Sequence, residues 1–421
     1  MLLGCIADDI TGATDLALML ARSGMRTVQV IGVPEAGTKF GDFDAVVVAL
    51  KSRTNPPDEA VAWSLAACDV LLADGAQQIF FKYCSTFDST EKGNIGPVAD
   101  ALLAKLGAQI AIACPAFPAN ARSVYQGYLF VGDQLLSDSP MKDHPLTPMR
   151  DSSLVRVLAA QSQHSVGLVT YFVVEAGPGA VKAMIGRAHS EGHRYVIVDA
   201  INERHLHTIG EAAADHKLIT GGSGIAVGLA KNFIDRGQMS RSEPETRMAA
   251  RPGRAAILAG SCSAATRGQV AAAIEAGVPT RRIQPLDLAE KRESAADLLA
   301  WALQQPVDQP ILIYSSDDPE NVREVQDKLG RDAAGALIER TLAEVARGLA
   351  VNGFTRMIVA GGETSGAAID ALGVSAISIG PEIDPGVPWT RSTGDDGLVL
   401  AFKSGNFGTP DFFLKAWDLL S

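Results

Sequence analysis

A chain of 421 residues that is 47% hydrophobic and 20% charged is long enough for two or three hydrophobic cores and shows no signature of disorder. Its formal charge of −11 excludes nucleic acid as a partner, because phosphate-backbone binding needs a basic surface. The five cysteines, Cys5, Cys68, Cys84, Cys114 and Cys262, are odd in number and widely spaced in apolar segments, so they read as reduced thiols and not as a disulfide framework or a zinc site.

No basic segment precedes an apolar one at the N-terminus and no run of about eighteen uncharged apolar residues occurs, so a cytoplasmic protein with no membrane partner is expected. In chain order, apolar β-branched runs predict strands at Leu2 to Ala7, Thr27 to Ile31, Ala45 to Leu50, Ile79 to Lys82, Ile110 to Ala113, Val166 to Tyr171 and Tyr195 to Val198. Segments of helical period lie between them, notably Ala13 to Ser23, Asp58 to Ala73, Gly96 to Leu106, Leu154 to Gln161 and Gly179 to Ser190. The pattern stops near Asn232 and restarts near Arg254, with a polar, proline-terminated stretch between. Strands are then expected at Ala255 to Ala259, Arg282 to Leu286, Pro310 to Tyr314, Met357 to Val359 and Val374 to Ile379. Alternating elements of this kind predict an α/β fold of two domains, each with a mainly parallel sheet flanked by helices. The expected boundaries are 1–235 and 255–421, with 236–254 as linker.

In an open parallel sheet ligands bind at the carboxyl ends of strands, and the polar residues of the first domain collect there. Asp8, Asp9, Thr11 and Asp15 surround the first strand-to-helix turn, where carboxylates suit polyol hydroxyls or a metal. Arg53 follows the third strand and offers a planar fork for a carboxylate; Lys82, Ser85, Asp88 and Ser89 follow the fourth. Together they describe a pocket for an acid sugar. His144, Arg150 and Asp151, on a proline-rich connection, are further candidate contacts. The plain alternative for Asp8 and Asp9 is a helix N-cap, with Asp9 or Thr11 as the cap. His205 and His207, two apart on a helix, point in different directions and read as surface histidines, not as a metal pair. Gly221 to Gly224 fits a phosphate loop or a tight helix entry equally well. No Walker A motif occurs, so a P-loop enzyme is excluded.

Three glycine loops mark the second domain: Gly260-Ser261-Cys262-Ser263, Gly361-Gly362-Glu363-Thr364-Ser365-Gly366 and Lys403-Ser404-Gly405-Asn406-Phe407-Gly408. Glycine lets backbone approach a phosphate, a helix start adds its dipole, and Ser261, Ser263 and Thr364 add hydroxyl donors. A polyhydroxylated acid in one domain and a nucleotide phosphate in the other is the layout of a small-molecule kinase.

From Ile6-Ala7-Asp8-Asp9-Ile10-Thr11-Gly12-Ala13-Thr14-Asp15 through Lys82 to Asn94, Cys114 to Arg122, His144 to Arg150 and the three glycine loops, the chain resembles the four-carbon acid sugar kinases over nearly its whole length. That resemblance implies an N-terminal sugar-acid domain, a C-terminal nucleotide domain, an active site in the cleft between them, and phosphorylation of the 4-hydroxyl by ATP. A 3-oxo acid is the expected substrate, with D-threonate or erythronate as the alternative. It carries Asp8, Arg53, Lys82 and Ser85 into the sugar-acid site, and Ser261, Gly361, Gly362, Glu363, Thr364 and Gly405 into the ATP site; Asn406, in the last glycine loop, is a further ATP candidate. The family usually has Phe or Leu where this chain has Ile10, and Gly where it has Ala121 before Arg122; Asn120 offers the left-handed turn instead.

Phosphoryl transfer rests on positioning and charge neutralisation, so domain closure with Mg²⁺ on the phosphates is expected, its protein ligands left open. Asp9, then Asp8, is expected to accept the hydroxyl proton or to hold the hydroxyl in place, and Lys82 or Arg53 to grip the substrate carboxylate. Two rivals stand beside the kinase. A nicotinamide-dependent sugar-acid dehydrogenase lacks its G-x-G-x-x-G after the first strand, and a sensor would have no use for three glycine loops. The frequency of two-fold pairs among soluble enzymes makes a homodimer the default expectation.

Overall fold

Runs such as Ala45-Val46-Val47-Val48-Ala49 are apolar on both faces and β-branched, which suits strands covered on both sides in a parallel sheet. The computed structural model describes residues 1–144, 146–394 and 397–421; Pro145, within the proline-rich connection singled out above, lies outside them. The chain divides into two units, Met1–Glu243 and Pro244–Ser421.

The first unit contains β1 (Leu3–Ala7), β2 (Thr27–Ile31), β3 (Ala45–Ala49), β4 (Gln78–Lys82), β5 (Ala111–Cys114), β6 (Arg122–Tyr125), β7 (Tyr128–Val131), β8 (Gln134–Leu135), β9 (Val166–Val169), β10 (Tyr195–Val198) and β11 (Leu218–Gly221). Its parallel sheet runs β2-β3-β1-β4-β11-β5-β10-β9. The register sets Ala49, Ala7 and Lys82 side by side, so three strands end together. Strands β6, β7 and β8 form a separate antiparallel sheet. Buried Asp199 fixes its turn by accepting the N–H groups of Gln126 at 2.7 Å and Gly127 at 2.9 Å, along with that of Tyr171 at 2.8 Å.

Residues 236–253 form no helix or strand. The second unit contains β12 (Arg254–Ala259), β13 (Thr280–Arg282), β14 (Ile311–Tyr314), β15 (Phe354–Ala360), β16 (Ala376–Asp384), β17 (Val387–Ser392) and β18 (Val399–Lys403), in the order β13-β14-β12-β15-β18-β17-β16. Pairing is parallel as far as β18 and antiparallel for β17 and β16. Ala259, Ala360 and Lys403 share one register, again aligning three strand ends. Trp389 anchors the core of this unit, fully buried with its indole N–H on the Ala416 carbonyl at 2.7 Å. The strand expected at Arg282 to Leu286 is corrected: the strand ends at Arg282, and Pro285 opens a short helix, Pro285–Ala289, as proline favours the first helical turn. Among the described residues, no helix is long and apolar enough to cross a membrane.

Ala121 itself, and not Asn120, takes the left-handed conformation, with φ 56° and ψ 36°. An alanine held there costs about 1 kcal/mol relative to glycine. Ala121→Gly is therefore expected to stabilise the first unit by about 1 kcal/mol and raise its melting temperature by roughly 2–4 °C, measured by calorimetry.

Candidate active site

The aligned ends of β3, β1 and β4 bring Arg53, Asp8, Asp9 and Lys82 together. Arg53 grips Asp8 with both arms of its fork, Nε to Oδ2 and Nη2 to Oδ1 at 2.8 Å each, and shares Nη2 with Asp9 Oδ1 at 2.6 Å. Lys82 donates to the same Asp9 oxygen at 3.0 Å. Asp9 is also the N-cap of the helix Ile10–Arg22: its Oδ2 accepts from Gly12 N at 3.1 Å and Thr11 Oγ1 at 2.9 Å. The cap and the charged cluster are one structure. Gly12 is required here, since a Cβ at that position would fall 1.6 Å from Lys82 Nζ.

The two carboxylates are driven apart. Burial raises the Asp8 carboxyl above the usual carboxylate range, against the pull of Arg53. Burial works the same way on Asp9, but the charges of Arg53 and Lys82 outweigh it and hold that carboxyl well below the usual range. Burial likewise pushes the Cys84 thiol up to about 12, which removes it as a nucleophile.

Other predicted residues take different places. Asp88 lies beside the cluster, its Oδ2 3.8 Å from Arg53 Nη1, and accepts the Thr86 hydroxyl at 2.6 Å. Ser85 is half-buried and its hydroxyl has no partner among the described residues. Ser89 is buried on Gln161 at 2.9 Å, and Asp15 accepts the Ser223 hydroxyl, so both side chains face the interior of the fold. His144 Nδ1 holds the Thr147 N–H at 3.1 Å, Arg150 is exposed, and Asp151 pairs with Arg156. None of these three joins the cluster. His205 corrects the expectation of a surface histidine: it is fully buried, with Nε2 2.6 Å from Glu175, while His207 is exposed. Gly221, Gly222 and Gly224 pack against the carbonyls of Cys114, Pro115 and Ala116, where a Cβ would come within 2.7 Å, and lead into the buried 3₁₀ turn Ser223–Gly228. Close backbone packing, not phosphate binding, explains that loop.

One contributor was missed. Asn94 is buried and its amide donates to the carbonyls of Ser52 at 2.7 Å, Arg53 at 3.2 Å and Asn55 at 2.9 Å, fixing the loop that presents the Arg53 fork.

In the second unit the three glycine loops leave the aligned ends of β12, β15 and β18. Ser263 caps the helix Ala264–Glu275 by accepting Thr266 N at 3.2 Å, and donates its hydroxyl to the Gly405 carbonyl at 2.5 Å. Ser261 Oγ accepts Ser263 N at 3.2 Å. A Cβ on Gly405 would fall 2.2 Å from Ser261 Oγ, and one on Gly260 2.2 Å from Thr364 Oγ1. Gly361, at φ 128°, turns the chain into the helix Gly362–Leu372, whose first turn holds Gly362, Glu363 and the buried Thr364. Asn406 is exposed at the tip of the last loop.

Paired carboxylates at the strand ends of one unit and glycine loops opening helices in the other make an α/β protein with one candidate site in each unit. Two family models agree, a sugar-binding N-terminal domain over residues 3–229 and a nucleotide-binding C-terminal domain over residues 256–413. A 3-oxo-tetronate kinase of Pseudomonas savastanoi pv. phaseolicola is 53% identical over 421 residues, covering 100% of this chain and 97% of its own. One from Cupriavidus necator is 54% identical over 417 residues, covering 99% and 96%. A crystal structure from Salmonella typhimurium LT2, provisionally named a tRNA synthase, matches with a TM-score of 0.90 at 44% identity and 98% coverage of each chain. The chain belongs to the four-carbon acid sugar kinase family.

Removing the Asp9 charge leaves Lys82 and Arg53 undercompensated in a buried setting. Asp9→Asn is expected to destabilise the first unit by about 2–3 kcal/mol at pH 7, at the low end for a broken buried pair because Asp9 is one-quarter exposed. Since the folded carboxyl lies below its unfolded value, this contribution is complete above about pH 4 and fades as pH falls below it. Urea unfolding of both proteins at pH 7 and pH 3 should show the difference shrinking in acid.

Proposed function

We propose that this protein is an ATP-dependent kinase that phosphorylates the 4-hydroxyl of 3-oxo-tetronate. The observation that carries the chemistry is the buried Asp8–Arg53–Asp9–Lys82 cluster at aligned strand ends; the whole-length identity to 3-oxo-tetronate kinases selects the substrate. The provisional tRNA-synthase name of the Salmonella structure has no counterpart in the sugar-binding and nucleotide-binding domain models or in the full-length 3-oxo-tetronate kinase relatives.

Within this reading the two carboxylates have different tasks. Asp8, raised by burial, is the better match to a general base and takes the proton of the 4-hydroxyl. Asp9 is saturated by four donors and held low, so it anchors Lys82 and the Arg53 fork. This reverses the order expected from the sequence. Among the described residues Lys82 donates to Asp9 alone, and its further N–H groups are the grip we assign to the substrate carboxylate, with Ser85 and Asp88 for its hydroxyls.

ATP is assigned to the second unit, with the hydroxyls of Ser261, Ser263 and Thr364 and the backbone of Gly361, Gly362 and Gly405 around its phosphates. A Mg²⁺ would be carried largely by phosphate oxygens and water, as this cation is in nucleotide sites. Glu363, exposed in the first turn of its helix, is the side chain that would complete its shell. The cation's contribution is to neutralise phosphate charge. Five unpaired thiols support a reducing compartment, the cytoplasm.

The test is coupled ADP release with Mg-ATP against 3-dehydro-L-erythronate, 3-dehydro-D-erythronate, D-threonate and D-erythronate. Selective turnover of the 3-oxo acids is expected; turnover of the hydroxy acids alone would move the substrate, and silence on all four would overturn the reading. Asp8→Asn should lower kcat by a factor of about 10² or more with KM for ATP little changed.

A further inference from the structure

Lys403 is fully buried at the end of β18, and no carboxylate pairs with it among the described residues. An uncompensated buried ammonium is costly to keep unless it serves a function. Its three contacts show what it does. Nζ donates to the Ser404 carbonyl at 3.1 Å, to the Gly405 carbonyl at 3.2 Å and to Thr266 Oγ1 at 3.0 Å. The Gly405 carbonyl also accepts from Ser263 Oγ at 2.5 Å and from Thr266 Oγ1 at 2.9 Å, while that of Ser404 accepts from Phe407 N at 3.2 Å.

In a planar trans peptide the N–H of one residue points opposite to the carbonyl of the residue before it. Drawing the Ser404 and Gly405 carbonyls inward therefore turns the N–H groups of Gly405 and Asn406 outward. Neither N–H has a protein partner among the described residues. Two successive free N–H groups make an anion-binding concavity, and a buried cation behind them adds favourable potential.

We propose that Lys403 is the positioning residue of a phosphate-binding turn, holding the Gly405 and Asn406 N–H groups towards the nucleotide phosphates; this rests on the nucleotide reading of the second unit. Charged residues on the packed elements are directed elsewhere. Arg267 turns to the Cys262 carbonyl and Asp318, Arg356 to the Gly253 carbonyl and Arg391 to the Ala249 carbonyl, while Glu275, Glu363 and Asp370 are exposed. Burial alone lowers the Lys403 ammonium, to about 8. A bound polyanion favours the charged form, so ATP affinity falls as pH rises through about 8. Stability of the ligand-free protein moves the other way: the unfolded chain keeps this proton up to the ordinary lysine value, so stability rises above pH 8.

The experiment is calorimetric titration of Mg-ATP into the wild type and Lys403→Met at pH 7 and pH 9, with melting of each ligand-free protein. Loss of the hold on the two carbonyls and of the buried charge behind the turn predicts Kd about tenfold weaker for Lys403→Met at pH 7, little further change at pH 9, an unchanged KM for the sugar acid, and no fall in ligand-free melting temperature. Wild-type affinity in the variant, or weakening that only follows a lowered melting temperature, overturns the positioning role. Should the variant not fold, the wild type decides alone, because equal ATP affinity at pH 7 and pH 9 overturns the proposal. A wild type that binds no ATP at pH 7 fails the nucleotide reading itself and takes the inference with it.

Discussion

One guanidinium spans two carboxylates, one buried and one partly exposed, and the cluster of the first unit is arranged around keeping that charge balanced. Arg53 reaches Asp8 and Asp9 at once only because β3 and β1 are neighbours that end in register. Lys82 completes the balance from the strand on the other side. Since Arg53 binds Asp8 through two parallel N–H groups, a lysine, a point charge without a fork, could not replace it. The loop that carries it is fixed in turn by the Asn94 amide, which ties three backbone carbonyls to the start of a helix.

The second unit meets an analogous constraint with the opposite charge. Backbone donors are aimed by fixing the carbonyls behind them, and here Ser263, Thr266 and Lys403 converge on the carbonyl of Gly405. In both units three neighbouring parallel strands stop at the same level, so the loops that follow start from a common edge.

Most of this was legible because strands that alternate with helices bring their ends together, so polar residues just after apolar runs become neighbours without knowledge of the pairing. Asp8, Asp9, Arg53 and Lys82 were found by that rule, as were the three glycine loops. Direction was not legible: Ser89 in the loop after β4 and Asp15 in the helix Ile10–Arg22 stand close to the cluster in sequence, yet their side chains turn inward to Gln161 and Ser223. His205 was misplaced because helical spacing gives its angle to His207 but not which face is covered. Asn94, Thr266 and Lys403 act through carbonyls of distant or adjacent backbone, and no side-chain pattern records that. The small antiparallel sheet escaped notice because its strands are only two to four residues long and are separated by tight turns, too short for a period to show.

The missing side chain of Gly12 has a mechanical meaning. The Lys82 ammonium occupies the space a Cβ would fill, passing over the first turn of the helix to the carboxylate that caps it. A strand end is thereby pinned to a helix start, like a bolt through two plates. Sliding the helix along the sheet by a single turn would carry the cap about 5 Å from its lysine, so the same residue that balances the charge also fixes the height of the helix start against the strand end.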